Sequence, residues 1–123
     1  MLSMDYKSKF EAKIAANLIK RKVNFKYELW SYPYTLEKWY TPDWFLPGGV
    51  IVETKGKFTS ADRTKMLIIK EEFPDLDIRL VFMRDNYLRK GSKTKYSDWA
   101  RKHGYTYAIG DIPDEWINKR KRS

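Results

Sequence analysis

Phe10, Ile14 and Leu18 recur every four residues, with Ala12, Ala15, Ala16 and Ile19 between them, so the spacing predicts a helix from Ser8 to about Lys22. Phe25-Lys26-Tyr27-Glu28-Leu29 alternates apolar and polar, the period of a strand. From Ser31 to Tyr40 there is no clean period, only Pro33 and several aromatics, which reads as an extended crossing segment. Trp44-Phe45-Leu46, Pro47-Gly48-Gly49 and Val50 to Lys55 together read as a hairpin. A second helix is expected from Ser60 or Ala61 to Phe73, with Ser60 as its cap, Asp62 in its first turn and Pro74 beyond its end. Ile78 to Met83 reads as a buried strand. A basic loop follows, carrying Arg84, Arg89, Lys90, Lys93 and Lys95. A short helix is expected from Ser97 to His103, stopped by Gly104, then a last strand from Tyr105 to Ile109. After Trp116 the tail is basic. The order predicts an α/β fold, a mixed central sheet flanked by helices.

Length and composition narrow this picture. The 123 residues suffice for one domain, taken as 1–123, and 42% hydrophobic with 33% charged residues describes a soluble globular chain. No apolar run exceeds four residues, which excludes a helical membrane span, and Met1 to Phe10 lacks a signal-peptide pattern, so a cytoplasmic location is expected. Cysteine is absent and His103 is the single histidine, so thiolate or imidazole metal sites and Cys or Ser-His-Asp nucleophiles are poor readings. His103 falls in the last turn of a predicted helix, where partial positive charge is favourable, and phosphate contact is the lesser reading.

Charge changes the picture more. Lys and Arg number 25 against 16 Asp and Glu, a net charge of +9 that attracts polyanions, nucleic acid first. Aromatic residues, 16% of the chain, could stack on bases but more often serve a core or interface.

The chemistry lies in Pro42-Asp43 and Glu53-Thr54-Lys55. With Pro47-Gly48-Gly49 as a three-residue loop, Leu46 pairs with Val50 and Asp43 stands opposite Glu53. Side chains on such a rung share a face with Cβ atoms about 4.5–5.5 Å apart. Lys55, two residues beyond Glu53, lies on that face too. A two-residue loop would break the arrangement. Two carboxylates so close repel each other unless a cation lies between them, and Mg²⁺ suits one or two carboxylates with water and phosphate. Lys55 can orient an attacking water or offset charge on the phosphate. The plain alternative is a surface Asp before a hairpin and a Glu–Lys pair on an exposed strand face. Glu11 has two readings as well. Ser8-Lys9-Phe10-Glu11 fits a capping box, or Glu11 is a third carboxylate helping to hold a second metal ion.

At Tyr40-Thr41-Pro42-Asp43 and Val52-Glu53-Thr54-Lys55-Gly56 the chain resembles the bacteriophage endonuclease I family, four-way (Holliday) junction-resolving enzymes of the PD-(D/E)xK nuclease superfamily. The likeness runs on through Ala61-Asp62-Arg63, Pro74 to Arg79, Leu88-Arg89-Lys90-Gly91-Ser92, Lys102-His103-Gly104 and Ile112 to Ile117. The resemblance implies that Asp43 and Glu53 bind metal, that Lys55 is catalytic, that Glu11 is the helix carboxylate and that the Thr54 carbonyl completes a metal shell. It implies Mg²⁺, with Mn²⁺ as substitute, and branched DNA as partner, with no membrane. It also implies a domain-swapped homodimer exchanging α-helical carboxylates through a bridge near 31–40. That bridge is shorter and more aromatic here, and the N-terminal arm and basic tail are abbreviated. Two other functions fit the same residues: a site-specific homing or restriction-like endonuclease, and a basic DNA-binding protein without catalysis.

Overall fold

In the computed structural model, residues 6–34 and 38–117 are described. The basic run expected after Ile117 lies outside them.

Helix α1 covers Lys9–Lys20, with Ser8 as its N-cap. Its four-residue stripe buries Phe10, Ile14, Ala15 and Leu18. Two short strands follow in the first third of the chain: β1 (Lys26–Tyr27) and β2 (Tyr32–Tyr34). Then come β3 (Lys38–Tyr40), β4 (Trp44–Phe45) and β5 (Val50–Lys55). Helix α2 (Ser60–Glu72), β6 (Asp77–Phe82), α3 (Tyr96–Lys102), β7 (Tyr107–Ile109) and α4 (Asp114–Ile117) complete the order.

The main sheet runs β1-β4-β5-β6-β7, mixed as expected. β1, β4 and β5 are antiparallel neighbours, and β5, β6 and β7 are parallel. Helices cover both faces, as the alternation of side chains along β5 and β6 requires. On one face Trp44, Val50, Val52 and Val81 pack with Phe10, Ile14 and Leu18 of α1 and with Trp116 of α4. On the other, Ile51, Ile78, Leu80 and Phe82 meet Met66 and Ile69 of α2 and Trp99 of α3. Burying each such side chain contributes about 1.5–3 kcal/mol, so these two layers hold the sheet between the helices.

Several boundaries differ from the sequence reading. The cap of α2 is Thr59, not Ser60: the Thr59 hydroxyl accepts from the Asp62 amide and Asp62 accepts from the Thr59 amide, a reciprocal box that starts one residue earlier. β1 stops after Tyr27 because Glu28 turns into left-handed conformation at φ 51°. α3 begins at Tyr96, with Asp98 holding the Lys95 amide. Tyr105 is not in the last strand; its hydroxyl donates to the Met66 carbonyl beneath α2 at 2.6 Å. Beyond Ser31, the described residues of the 31–40 stretch form two paired strands. Tyr32 pairs with Tyr40, Pro33 with Trp39 and Tyr34 with Lys38, and the Tyr32 ring rests on Phe73 at the end of α2. Helix α4 lies within a stretch for which the sequence reading had no element. Among the described residues no helix is long and apolar enough to cross a membrane.

Candidate active site

The turn between β4 and β5 sets everything that follows. Pro47–Gly49 forms a single 3₁₀ turn in which Gly48 takes φ 86°, a conformation that costs glycine little. The Leu46 amide donates to the Val50 carbonyl at 2.8 Å, Phe45 pairs with Ile51 and Trp44 with Val52. The paired rungs end at Trp44–Val52, and Asp43 stands one residue beyond them with its carboxylate turned onto Thr54.

Asp43 and Glu53 are both buried, at 6% and 4% exposure. Asp43 Oδ2 accepts two hydrogen bonds from Thr54, from its amide at 2.9 Å and its hydroxyl at 2.8 Å. The Trp44 indole N–H donates to that hydroxyl oxygen at 3.4 Å. Glu53 Oε1 accepts from the Tyr40 hydroxyl at 3.1 Å, and Oε2 lies 3.4 Å from Lys55 Nζ. Lys55 Nζ also donates to Asp62 Oδ1 at 3.2 Å. Asp62 thus serves twice, capping α2 through Oδ2 and holding Lys55 through Oδ1.

Glu11 approaches from α1. Its amide donates to Ser8 Oγ at 3.1 Å, so Ser8 does cap the helix. Its carboxylate does not close the box on the Ser8 amide. Oε1 instead accepts from the Lys7 amide at 3.1 Å and from the Tyr27 hydroxyl at 2.5 Å, and the side chain is buried. Tyr27 sits beside Trp44 on the neighbouring strand, one residue from Asp43. Within this one chain, then, α1 brings Glu11 to the Asp43 side of the hairpin while α2 brings Asp62 to the Lys55 side.

Electrostatics follow from that crowding. Burial raises the Asp43 carboxyl, the charges of Glu53 and Glu11 raise it further, and the two Thr54 bonds only partly offset them. Burial also raises Glu53, against the opposing pull of Lys55 and Lys65 and the Tyr40 bond. For Lys55 burial favours the neutral amine, but the charges of Glu53 and Asp62 prevail and hold the ammonium. Tyr40 is pushed well above the ordinary phenol range by burial and by Glu53, so it keeps the proton that it donates to Glu53.

The donor set suits a divalent cation at one place. A cation relieves two buried carboxylates, Asp43 raised by burial and by the charge of Glu53 and Glu53 raised by burial, and Mg²⁺ needs only one or two protein carboxylates when water and phosphate fill the remaining positions. Among the described residues no three carboxylate or imidazole groups cluster tightly enough to cage an ion unaided. Asp43 and Glu53 are two buried carboxylates that could hold one. Glu11 adjoins them through its charge, and the Thr54 contacts on Asp43 come from its amide and hydroxyl.

Four supporting residues escaped the sequence reading as parts of a site: Tyr27, Tyr40, Asp62 and Lys65. Asp62 had a signal, standing three residues after Thr59 in a box. Lys65 Nζ lies 5.2 Å from the Tyr40 ring centre, so a cation covers the ring whose hydroxyl holds Glu53. A groove of about 430 Å³, bordered by Tyr34, Lys38, Asp62 and Lys65, opens beside the Lys55–Asp62 pair. His103 ends α3, its ring 4.5 Å from that of Trp99, and takes no part in these contacts.

The family model described as phage endonuclease I matches residues 2–123. Endonuclease I of Escherichia phage T7 is 43% identical over 121 residues, covering 95% of this chain and 81% of the phage protein. Endodeoxyribonuclease 1 of Enterobacteria phage T3 is 42% identical over 121 residues, covering 95% and 80%.

Proposed function

Because the chain belongs to the phage endonuclease I family, we propose that it is a DNA endonuclease, metal-dependent and selective for branched DNA such as four-way junctions. The observation that carries the chemical part of this reading is two buried carboxylates, Asp43 and Glu53, near enough that the charge of Glu53 raises Asp43, with Lys55 held between Glu53 and Asp62. Pro42-Asp43 and Glu53-Thr54-Lys55 supply the residues of a PD-(D/E)xK centre. Asp43 and Glu53, with Glu11 and Thr54 adjoining, would hold a divalent ion, which would supply Lewis acidity and acidify water there. Magnesium is the expected ion, with manganese as substitute.

The side chains of this chain do the rest. Thr54 fixes Asp43 through Oδ2 and Tyr40 fixes Glu53 through Oε1, so little reorganisation of either carboxylate is needed as charge develops. Lys55 stays charged at neutral pH, and its ammonium can offset the charge that accumulates on the phosphate during attack. Asp62 aims that ammonium. The net charge of +9 favours approach of a polyanion.

A homodimer completes the reading. Exchange of α1 and β1 between two copies through the 31–40 segment would place the Glu11 of one copy at the Asp43–Glu53 pair of the other, and two such sites would nick opposite strands at a branch. The test is nicking of a four-way junction and a matched linear duplex with Mg²⁺, alongside sedimentation of the free protein. Paired nicks on the junction with little cutting of the duplex, from a dimer, are expected. Equal cutting of both substrates would remove the branch selectivity, preference for one duplex site would favour a sequence-reading enzyme, and a stable monomer would remove the exchange.

A further inference from the structure

Residues 84–95 leave the sheet at the end of β6, immediately beside the candidate catalytic lysine. The Met83 amide donates to the Lys55 carbonyl at 2.9 Å, so the segment is rooted at the same rung that carries Lys55. It is not a loose loop. The Leu88 amide donates to the Thr94 carbonyl at 2.8 Å and the Tyr96 amide to the Asn86 carbonyl at 2.9 Å, while Tyr87 and Lys95 form an antiparallel bridge. At its tip the Ser92 amide donates to the Arg89 carbonyl at 3.0 Å, and Gly91 takes φ 84°, the glycine position of a type II turn. At its base Asp85 accepts from the Ser97 amide at 2.9 Å and the Ser97 hydroxyl at 2.6 Å.

The charge on this tongue is one-sided. Five cations stand against one acid, Asp85, and both Asp85 oxygens face α3. Arg84, Arg89, Lys90 and Lys93 are exposed, and none of the four has an ion-pair partner among the described residues. Lys95 leans over the Tyr87 ring, 5.3 Å from its centre, which stiffens the stem. A pinned hairpin that presents four cations without ion-pair partners among the described residues, rooted through Met83 at the rung of Lys55, has the charge to hold a polyanion.

We propose that the 84–95 tongue binds the DNA backbone flanking the scissile phosphate, with Arg89, Lys90 and Lys93 contacting successive phosphates of one duplex arm. This rests on the endonuclease reading of the Asp43–Glu53–Lys55 site. Such phosphate binding carries no sequence information and fixes where the duplex lies relative to Lys55.

The test measures binding of a labelled four-way junction across a NaCl series, in a Glu53→Gln parent that holds DNA without cutting it. Arg89→Gln/Lys90→Gln/Lys93→Gln is compared with a charge-matched control, Lys20→Gln/Lys22→Gln/Lys102→Gln, whose side chains are also exposed. Each phosphate that is no longer neutralised should lower the slope of log K against log salt by about 0.9, so the tongue variant should flatten by roughly 2–3 and bind about tenfold more weakly or worse. The control should change distinctly less. An unchanged tongue variant, or equal weakening in both variants, would overturn the proposal while leaving the nuclease reading intact. A parent that binds no DNA at all would remove the nuclease reading and this proposal with it.

Discussion

Asp43 Oδ2 is held by two hydrogen bonds from Thr54, one from the amide and one from the hydroxyl. The carboxylate is fixed in place while its charge is resisted by burial and by its neighbour. Its folded pKa therefore lies above the unfolded value. Stability from this group is full below the ordinary carboxylate range and is lost as pH rises through the raised value. Asp43→Asn removes the charge and can keep Thr54 as donor. Thermal unfolding without divalent ions should show the variant more stable than wild type at pH 8 by about 1 kcal/mol, a shift of several degrees. The difference should shrink towards pH 4. A variant less stable than wild type at pH 8 would mean that Asp43 is not strained by its neighbours.

Tyr40→Phe keeps the buried ring and removes only the bond to Glu53. An unpartnered carboxylate oxygen remains in the core, so unfolding should cost about 1–3 kcal/mol less than in wild type. Cleavage should fall about tenfold, because Glu53 gains freedom at the moment when a fixed charge matters. Unchanged cleavage and stability in denaturant titration would show that the bond is incidental.

Thr59→Ala strips one half of the α2 box. The expected loss is about 1 kcal/mol of stability, typical of a cap. Because Asp62 closes that box and also holds Lys55, a second effect is expected: slower cleavage than in a variant destabilised equally elsewhere, such as Ile69→Val. Parallel rates in the two variants would separate the cap from the site.

Lys55→Gln should fold with nearly wild-type circular dichroism yet lose cleavage by at least about a hundredfold, since Gln retains hydrogen-bonding capacity but not the charge. Loss of the folded signal would instead place Lys55 among the structural residues, as counter-ion to buried Glu53.

Much of this site could be read along the chain because its parts are close in sequence. Pro47-Gly48-Gly49 dictates a loop length, loop length dictates register, and that register pairs Phe45 with Ile51 and Trp44 with Val52, which leaves Asp43 one residue on, against Thr54, with Lys55 beside Glu53. The α1 stripe was equally plain, since Phe10, Ile14 and Leu18 share one face at any helical phase. What stayed hidden depends on tertiary placement. Tyr40 reaches Glu53 across thirteen residues and Tyr27 reaches Glu11 across sixteen, and no spacing rule marks a tyrosine as a carboxylate's partner. The Tyr32–Tyr40 pairing was masked by aromatics on both sides of the strands, which erase the alternation that reveals a half-buried strand. Thr59 and Ser60 are both good caps, and the choice between them falls to Asp62.

The reading of Asp43, Glu53 and Lys55 as one cation-assisted hydrolytic centre is tested most directly by cleavage of a four-way DNA junction at protein concentrations that saturate the DNA. Wild type, Asp43→Asn and Lys55→Gln are each assayed with Mg²⁺ and with a chelator. Cutting by wild type with Mg²⁺, and by no other combination, is expected. Wild-type cutting that survives the chelator, or an Asp43→Asn protein that cuts at the wild-type rate, would contradict it.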